Sequence, residues 1–344
     1  MSNHQQEIPH MSTLTASATQ APAVYTVLAD INQQWFVAAL GAAVLFNFAS
    51  IIGDGALTTQ ELAQQTQTQE TWVYRTLRAL STRGYFLPVE GKSRMFRNTP
   101  HSDVLRDDHP QSMRALALTV LGRRSAQQWS FFPETMRTGQ PAAEMVLGMS
   151  TYEYFDQHEE ERLLFDQAMQ NFASTVNTAI VEAFDFARYS TILDIGGGDG
   201  SLLELIIRCY PAVSGALFER PILVKQLRQT PCPFAVIAGD FFEELPAAEL
   251  YIIKEVLHNW SDEQCIQILQ ACRRANPQAA VLVSEQVIGE GRNFAEWLDL
   301  LMGVEQNGCE RTLQEYKALF AGAGYHLSQT VPTHSSHTLL LAEV

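Results

Sequence analysis

Thr191-Ile-Leu-Asp-Ile-Gly-Gly-Gly-Asp-Gly200 decides the fold. Its first half is β-branched and apolar, the composition of a buried strand. Its second half is rich in glycine, and Leu202, Leu203, Leu205 and Ile206 then start a helix. Open α/β sheets bind ligands on such a strand, turn and helix, because a glycine turn lets a ligand touch backbone. The glycines stand at 196, 198 and 200, and Ser201 takes the place of the third glycine in a G-x-G-x-x-G dinucleotide fingerprint. That spacing favours a nucleoside without a pyrophosphate. Asp194, Gly196 and Gly198 are therefore candidate cofactor contacts, with a plain tight turn as the alternative for so short a motif.

The same alternation continues downstream. Short β-rich runs at Ser214-Glu219, Phe234-Ala238, Leu250-Lys254, Ala279-Glu285 and Thr338-Glu343 are separated by helical patterns, which predicts a mostly parallel sheet covered on both faces. Ligands collect beyond the carboxyl ends of such strands, so the residues ending each run are the ones to inspect. Glu219 ends the second and can accept from both ribose hydroxyls, although an exposed strand-end glutamate is the commoner outcome. Asp240 with Phe241 and Phe242 follows the third, offering a carboxylate and aromatic faces to an adenine, or else a capping Asp and two core rings. The fourth runs into Lys254-Glu-Val-Leu-His-Asn-Trp260, after which Ser261-x-x-Gln264 opens a helix with a capping box. His258 thus stands at the sheet edge with an imidazole whose ordinary pKa, about 6.5, suits a general base. Glu285 ends the fifth strand, and Glu310 precedes the capping box Thr312-x-x-Glu315. A carboxylate beside an imidazole orients the ring and stabilises its cation.

Upstream, residues 108–187 read as largely helical, with breaks at Pro133 and Pro141. Before them, Thr58-Thr-Gln-Glu61 is a capping box opening a short helix, and Trp72, Val73, Leu77 and Leu80 mark a second. Tyr85–Val89 and Arg94–Arg97 read as two strands, giving a winged helix, a shape shared by DNA-binding and dimerisation modules. Residues 55–107 hold seven Lys or Arg against five Asp or Glu, with no basic cluster on the second helix, so the footprint of a groove-binding module is missing. Phe36–Ile52 is the most apolar stretch. It is shorter than the roughly 20 residues that cross a bilayer and reads as one buried helix at a subunit interface.

At 344 residues the chain is long enough for two domains. Its net charge of −15 repels phosphate backbones and anionic lipids, so neither nucleic acid nor membrane is an expected partner. Cys209, Cys232, Cys265, Cys272 and Cys309 are scattered, never form a C-x-x-C pair, and read as reduced thiols in cytoplasm. Residues 1–20 lack the basic start and apolar stretch of a secretory signal and read as a disordered tail.

Ile192–Gly200, Phe218-Glu-Arg-Pro221, Gly239-Asp-Phe-Phe242, Lys254-x-x-Leu-His-x-Trp-Ser-Asp-Glu263 and Glu310-Arg-Thr312 together resemble the caffeic acid and acetylserotonin type of S-adenosylmethionine (SAM)-dependent O-methyltransferase. The likeness spans the chain. It implies a Rossmann-like catalytic domain over 108–344, with a helical substrate-lining segment at 108–187 and a SAM-binding core at 188–344. A winged-helix dimerisation domain over 21–107 completes the expected organisation. The resemblance further implies that Gly196, Glu219, Asp240, Phe241 and Lys254 line the SAM pocket, that His258 is the general base, and that Glu285 and Glu310 flank it. Phe165 and Met169, and Leu301 and Met302, fall where the family lines its substrate, though their spacing is equally ordinary helix packing. Two departures stand out, Glu219 for the more usual Asp and Asn259 where Asp often follows the histidine; neither removes a catalytic group.

The expected activity is methyl transfer from SAM, leaving S-adenosylhomocysteine, to a hydroxyl of a small, flat, aromatic acceptor, without a metal and by a homodimer. N- or C-methylation, or another use of SAM on the same scaffold, is the nearest alternative. A nicotinamide-dependent reductase shares the strand-glycine-acid layout, but the glycine spacing argues against it. A winged-helix regulator sensing a nucleoside is the alternative outside enzymes.

Overall fold

Each apolar run from Thr191 onward becomes a strand of one sheet in the computed structural model, which describes residues 23–227, 232–289, 294–306 and 308–344. The strands are β1 (Thr191–Ile195), β2 (Ser214–Glu219), β3 (Ala235–Ala238), β4 (Leu250–Lys254), β5 (Ala280–Glu285), β6 (His326–Pro332) and β7 (Thr338–Glu343). Their order is 3-2-1-4-5-7-6. The first five are parallel, while β7 pairs antiparallel with β5 and β6. The chain therefore leaves β1 towards β2 on one side and returns to β4 on the other. Such a reversal opens a crevice beyond the carboxyl ends of β1 and β4.

Both faces of the sheet are covered, so β4 and β5 are apolar almost throughout rather than alternating. Leu193, Ile195, Tyr251, Ile253, Val281 and Val283 pack on one face, with Ile268, Leu269 and Phe320 of the helices Asp262–Ala275 and Leu313–Gly322. Ile192, Leu250, Ile252 and Leu282 pack on the other, with Val176 and Ile180 of the long helix Glu159–Ala183 and Leu202 and Ile206 of Ser201–Cys209. Successive strand residues point to opposite faces, which is why neighbours in sequence divide between the two cores.

A third core, including Val44, Phe48, Leu62, Leu77, Phe86 and Phe96, lies in the helical N-terminal region. There the helices Thr59–Thr66 and Glu70–Ser81 precede short strands at Leu87–Pro88 and Met95–Arg97, and Ala56–Thr58 adds a third strand to that pair. The stretch Phe36–Ile52 is not one helix but the end of Gln33–Leu45 followed by Phe48–Ile52. Asn47 breaks it, adopting a left-handed conformation (φ 54°) and donating from Nδ2 to Asp107 Oδ2 at 2.6 Å; Asn tolerates that conformation better than most residues. The capping boxes at Thr58, Ser261 and Thr312 are all formed, each hydroxyl accepting from the backbone three residues on. The tail expected over residues 1–20 lies outside the described residues. Among those described, no helix is long and apolar enough to cross a membrane.

Candidate active site

The site is built at the crevice between β1 and β4. After β1 the glycine turn folds over the Asp194 side chain so closely that a Cβ at position 197 would lie 2.2 Å from Asp194 Oδ2, and glycine alone fits there. Gly196 and Gly198 have φ of 67° and 62°, the left-handed region that glycine enters without steric cost. Asp194 is fully buried, and neither carboxylate oxygen has a hydrogen-bond partner among the described residues. Burial pushes its pKa up to about 7, against the pull of the Lys254 ammonium.

Glu219 closes β2 beside the turn. Its Oε1 accepts from the Arg220 backbone at 2.8 Å, and its Oε2 accepts weakly from Gly198 N at 3.4 Å. Arg220 lies over the ring of Tyr152, 5.3 Å from its centre, which ties the helix Thr151–Gln157 to this edge. Asp240 caps its own turn, Oδ1 accepting from Phe242 N at 2.9 Å. Phe241 and Phe242 meet Trp260 edge-on at 5.8 and 5.0 Å. The capping half of the packing alternative is present at Asp240, while Phe241 and Phe242 are partly buried against the core.

His258 sits in a single 3-10 turn, Leu257–Asn259, after β4. The two glutamates divide the work of holding it. Glu285 Oε1 accepts from the backbone of Val256, Leu257 and His258 at 3.1, 3.0 and 3.4 Å, so it anchors the turn. Glu310 Oε1 lies 2.8 Å from Nδ1 of the ring, and Glu285 Oε2 is 3.4 Å from the same nitrogen. A proton on Nδ1 facing Glu310 fixes the ring and leaves Nε2 as the nitrogen with a lone pair. Burial disfavours the imidazolium, but the charges of Glu285 and Glu310 outweigh it and raise the pKa to about 9. The ordinary value expected from sequence is corrected accordingly: a histidine between two buried carboxylates is a stronger base than an isolated one. Burial also pushes Glu285 above the usual carboxylate range, opposed by the His258 charge and reinforced by Glu310.

These three side chains bring possible ligand atoms within 4.8 Å of one another, a set a cation could share. The hydrogen-bonding geometry at Nδ1 gives the same atoms a different task, since that nitrogen already faces Glu310.

The substrate-facing candidates are scattered by comparison. Phe165 stacks on Phe155 with ring centres 4.9 Å apart, ordinary helix packing, while Met169 is exposed one turn on. Leu301 and Met302 are half-buried in the helix Ala295–Gln306. The side chain of Gln306 in that helix bonds Asn259, which joins it to the His258 turn. The described contacts unite His258 with Glu285 and Glu310, and the glycine turn with Asp194 and Glu219, whereas Asp240 and Phe165 have partners of their own and Met169 is exposed.

Sequence reasoning assigned nothing to Arg311. Its side chain is 2% exposed and donates to the carbonyls of Leu257, Cys309 and Trp260 at 3.0, 3.3 and 2.7 Å and to Asp262 Oδ1 at 2.9 Å. It clamps the loop that carries His258. The one signal was an arginine beside Glu310 in a helix-capping motif, too little to show burial.

A model of the O-methyltransferase domain matches residues 129–326. The phenazine O-methyltransferase PhzM of Lysobacter antibioticus is 33% identical over 335 residues, 94% of this chain and 97% of that protein. The mitomycin biosynthesis 6-O-methyltransferase of Streptomyces lavendulae is 31% identical over 326 residues, 92% of this chain and 93% of its own. Among solved structures, human N-acetylserotonin methyltransferase in complex with SAM superposes with a TM-score of 0.86 at 25% identity, covering 95% of this chain and 99% of that one.

Proposed function

The chain belongs to the O-methyltransferase family, and from that premise we propose that it methylates a hydroxyl of a small, flat, aromatic acceptor with His258 as general base. It is a SAM-dependent enzyme of a family active in secondary-metabolite biosynthesis. The reading of the acceptor is supported by the relatives, named as a phenazine O-methyltransferase and a 6-O-methyltransferase of mitomycin biosynthesis.

The residues at the crevice fit SAM. A buried carboxylate without a partner at Asp194 suits a cationic group, and a glycine turn gives access to backbone. Asp194, Gly196, Gly198, Glu219, Asp240, Phe241 and Lys254 would hold it. When bound, SAM supplies a methyl group on a sulfonium, which makes that carbon electrophilic and its leaving group neutral.

The remaining task is the acceptor's proton. His258, with Nδ1 engaged by Glu310, takes it at Nε2. For a phenol of pKa about 10, transfer to an unperturbed imidazole is uphill by about 3.5 units, roughly 5 kcal/mol. Against an imidazole raised to about 9 the mismatch is about one unit, near 1.4 kcal/mol. Raising the base therefore favours oxygen deprotonation directly. Leu301, Met302, Phe165 and Met169 are assigned to the acceptor's apolar surface.

We assign residues 108–344 to catalysis, with 188–344 holding SAM, and 21–107 to a winged-helix unit that pairs two chains. The helix Ala23–Ile31 supports this pairing: none of its residues is buried, and Val24, Tyr25, Val27, Leu28 and Ile31 are all more than half exposed. A lone chain rarely leaves so contiguous an apolar surface in water.

The His258–Glu310 contact carries the proposal. The test is His258→Ala with a panel of hydroxylated aromatics. Wild-type product should gain the mass of one methylene, and the variant should keep SAM binding while turnover falls about 10²- to 10⁴-fold. Full turnover in the variant would remove His258 from the chemistry.

A further inference from the structure

Behind the crevice lies a second buried histidine. His337 precedes β7, is 1% exposed, and is held by a tight loop in which its N–H donates to Ser335 Oγ at 3.1 Å and its carbonyl accepts from Thr333 Oγ1 at 2.6 Å. Its Nδ1 is 3.1 Å from Ser284 Oγ, and its Nε2 is 3.3 Å from Glu255 Oε1. Glu255 Oε2 in turn sits 2.7 Å from Lys254 Nζ. The two oxygens of one carboxylate are thus divided between a histidine and a lysine.

Backbone geometry makes this string possible. Lys254 and Ser284 are register partners at the ends of β4 and β5, so their side chains leave the same face of the sheet. The next residue, Glu255, would ordinarily point to the opposite face. It instead takes a left-handed conformation with φ of 54°, strained for a side chain other than glycine, and its carboxylate returns to Lys254. Strain of this kind persists where surrounding contacts fix it, and the contacts here are His337 and Lys254. Burial acts to raise the pKa of Glu255, but the Lys254 charge and the contact with His337 outweigh it and hold the carboxylate ionised. On the far side, Lys254 acts electrostatically on Asp194, under the glycine turn. A neutral His337 that accepts the Ser284 hydroxyl at Nδ1 would carry its proton on Nε2, the nitrogen 3.3 Å from Glu255 Oε1.

We propose that His337 is a positioning residue for the methyl donor, fixing Glu255 and through it the Lys254 ammonium beside the glycine turn. This rests on the assignment of Lys254 to the SAM pocket. The residue acts on donor binding, while the acceptor's proton belongs to His258.

SAM affinity, measured by titration calorimetry on the full chain, separates the possibilities. His337→Ala is expected to weaken SAM binding about tenfold and to raise the KM for SAM equally, with kcat at saturating SAM within about twofold. His337→Gln, whose amide can still donate to Glu255, should recover most of the loss. Lys254→Met should weaken SAM binding by itself, and adding His337→Ala to it should cost little more, because both changes break one string. Unchanged SAM affinity in His337→Ala, alongside a loss in Lys254→Met, would overturn the role of His337 and leave that of Lys254 standing. Unchanged affinity in Lys254→Met would overturn both. Should His337→Ala fail to fold, Glu255→Gln interrupts the same string, with the same expected loss and the same contrary result.

Discussion

At the residue scale, the proposed mechanism concentrates the chemistry in one imidazole and the two carboxylates beside it. His258 must be neutral to accept a proton, and its neighbours hold the free-enzyme pKa near 9. The sign follows: at pH 7 most of the ring is protonated and inactive, so kcat/KM should rise about tenfold per pH unit and level off near 9. Glu310→Gln removes one of the charges that raise this pKa. Its ascending limb should move to lower pH, and its plateau should drop because the weaker base is less well matched to a phenol. Parallel pH–rate measurements on the two proteins check this, and an ascending limb at the same pH in both would show that Glu310 does not set the basicity.

At the scale of elements, the turn bearing His258 has little regular structure of its own and depends on what grips it. Arg311 binds three of the carbonyls around it, Glu285 three of its N–H groups, and Cys309 N donates to the His258 carbonyl at 2.8 Å. Arg311→Met leaves buried carbonyls without donors and should cost roughly 3 kcal/mol of stability, read from urea unfolding, with kcat reduced as well. An unchanged unfolding midpoint would mean that water or a neighbour replaces the guanidinium. These elements also show what a sequence makes legible. The strands β1, β2, β4 and β7 were readable to the residue because buried strands, parallel like the first three or antiparallel like β7, are short apolar runs with sharp ends. Strand β6 was not: an edge strand reading His-Leu-Ser-Gln-Thr-Val-Pro has one paired side and no steady alternation. Glu285 could be placed because it ends β5, His258 because it follows β4 and Glu310 because it precedes a capping box, while their roles came from the family resemblance. Arg311, Glu255 and His337 could not, since their roles come from contacts between loops distant in sequence, and a single break at Asn47 was enough to divide an apolar helix.

At the scale of the molecule, two copies are expected to bury the apolar helix Ala23–Ile31 and its neighbour Trp35, itself 65% exposed. Light scattering should give the mass of two chains at micromolar concentration, and a persistent single-chain mass would refute the pairing. The strand order brings the glycine turn after β1 and the histidine turn after β4 to one edge, which is where the proposed mechanism has donor and acceptor meet. A crystal structure with S-adenosylhomocysteine and the acceptor tests that meeting most directly. The acceptor hydroxyl should lie about 2.6–3.2 Å from His258 Nε2, on the side facing the sulfur. A hydroxyl bound out of reach of that nitrogen, or a nucleoside seated away from the 194–200 turn, would contradict it.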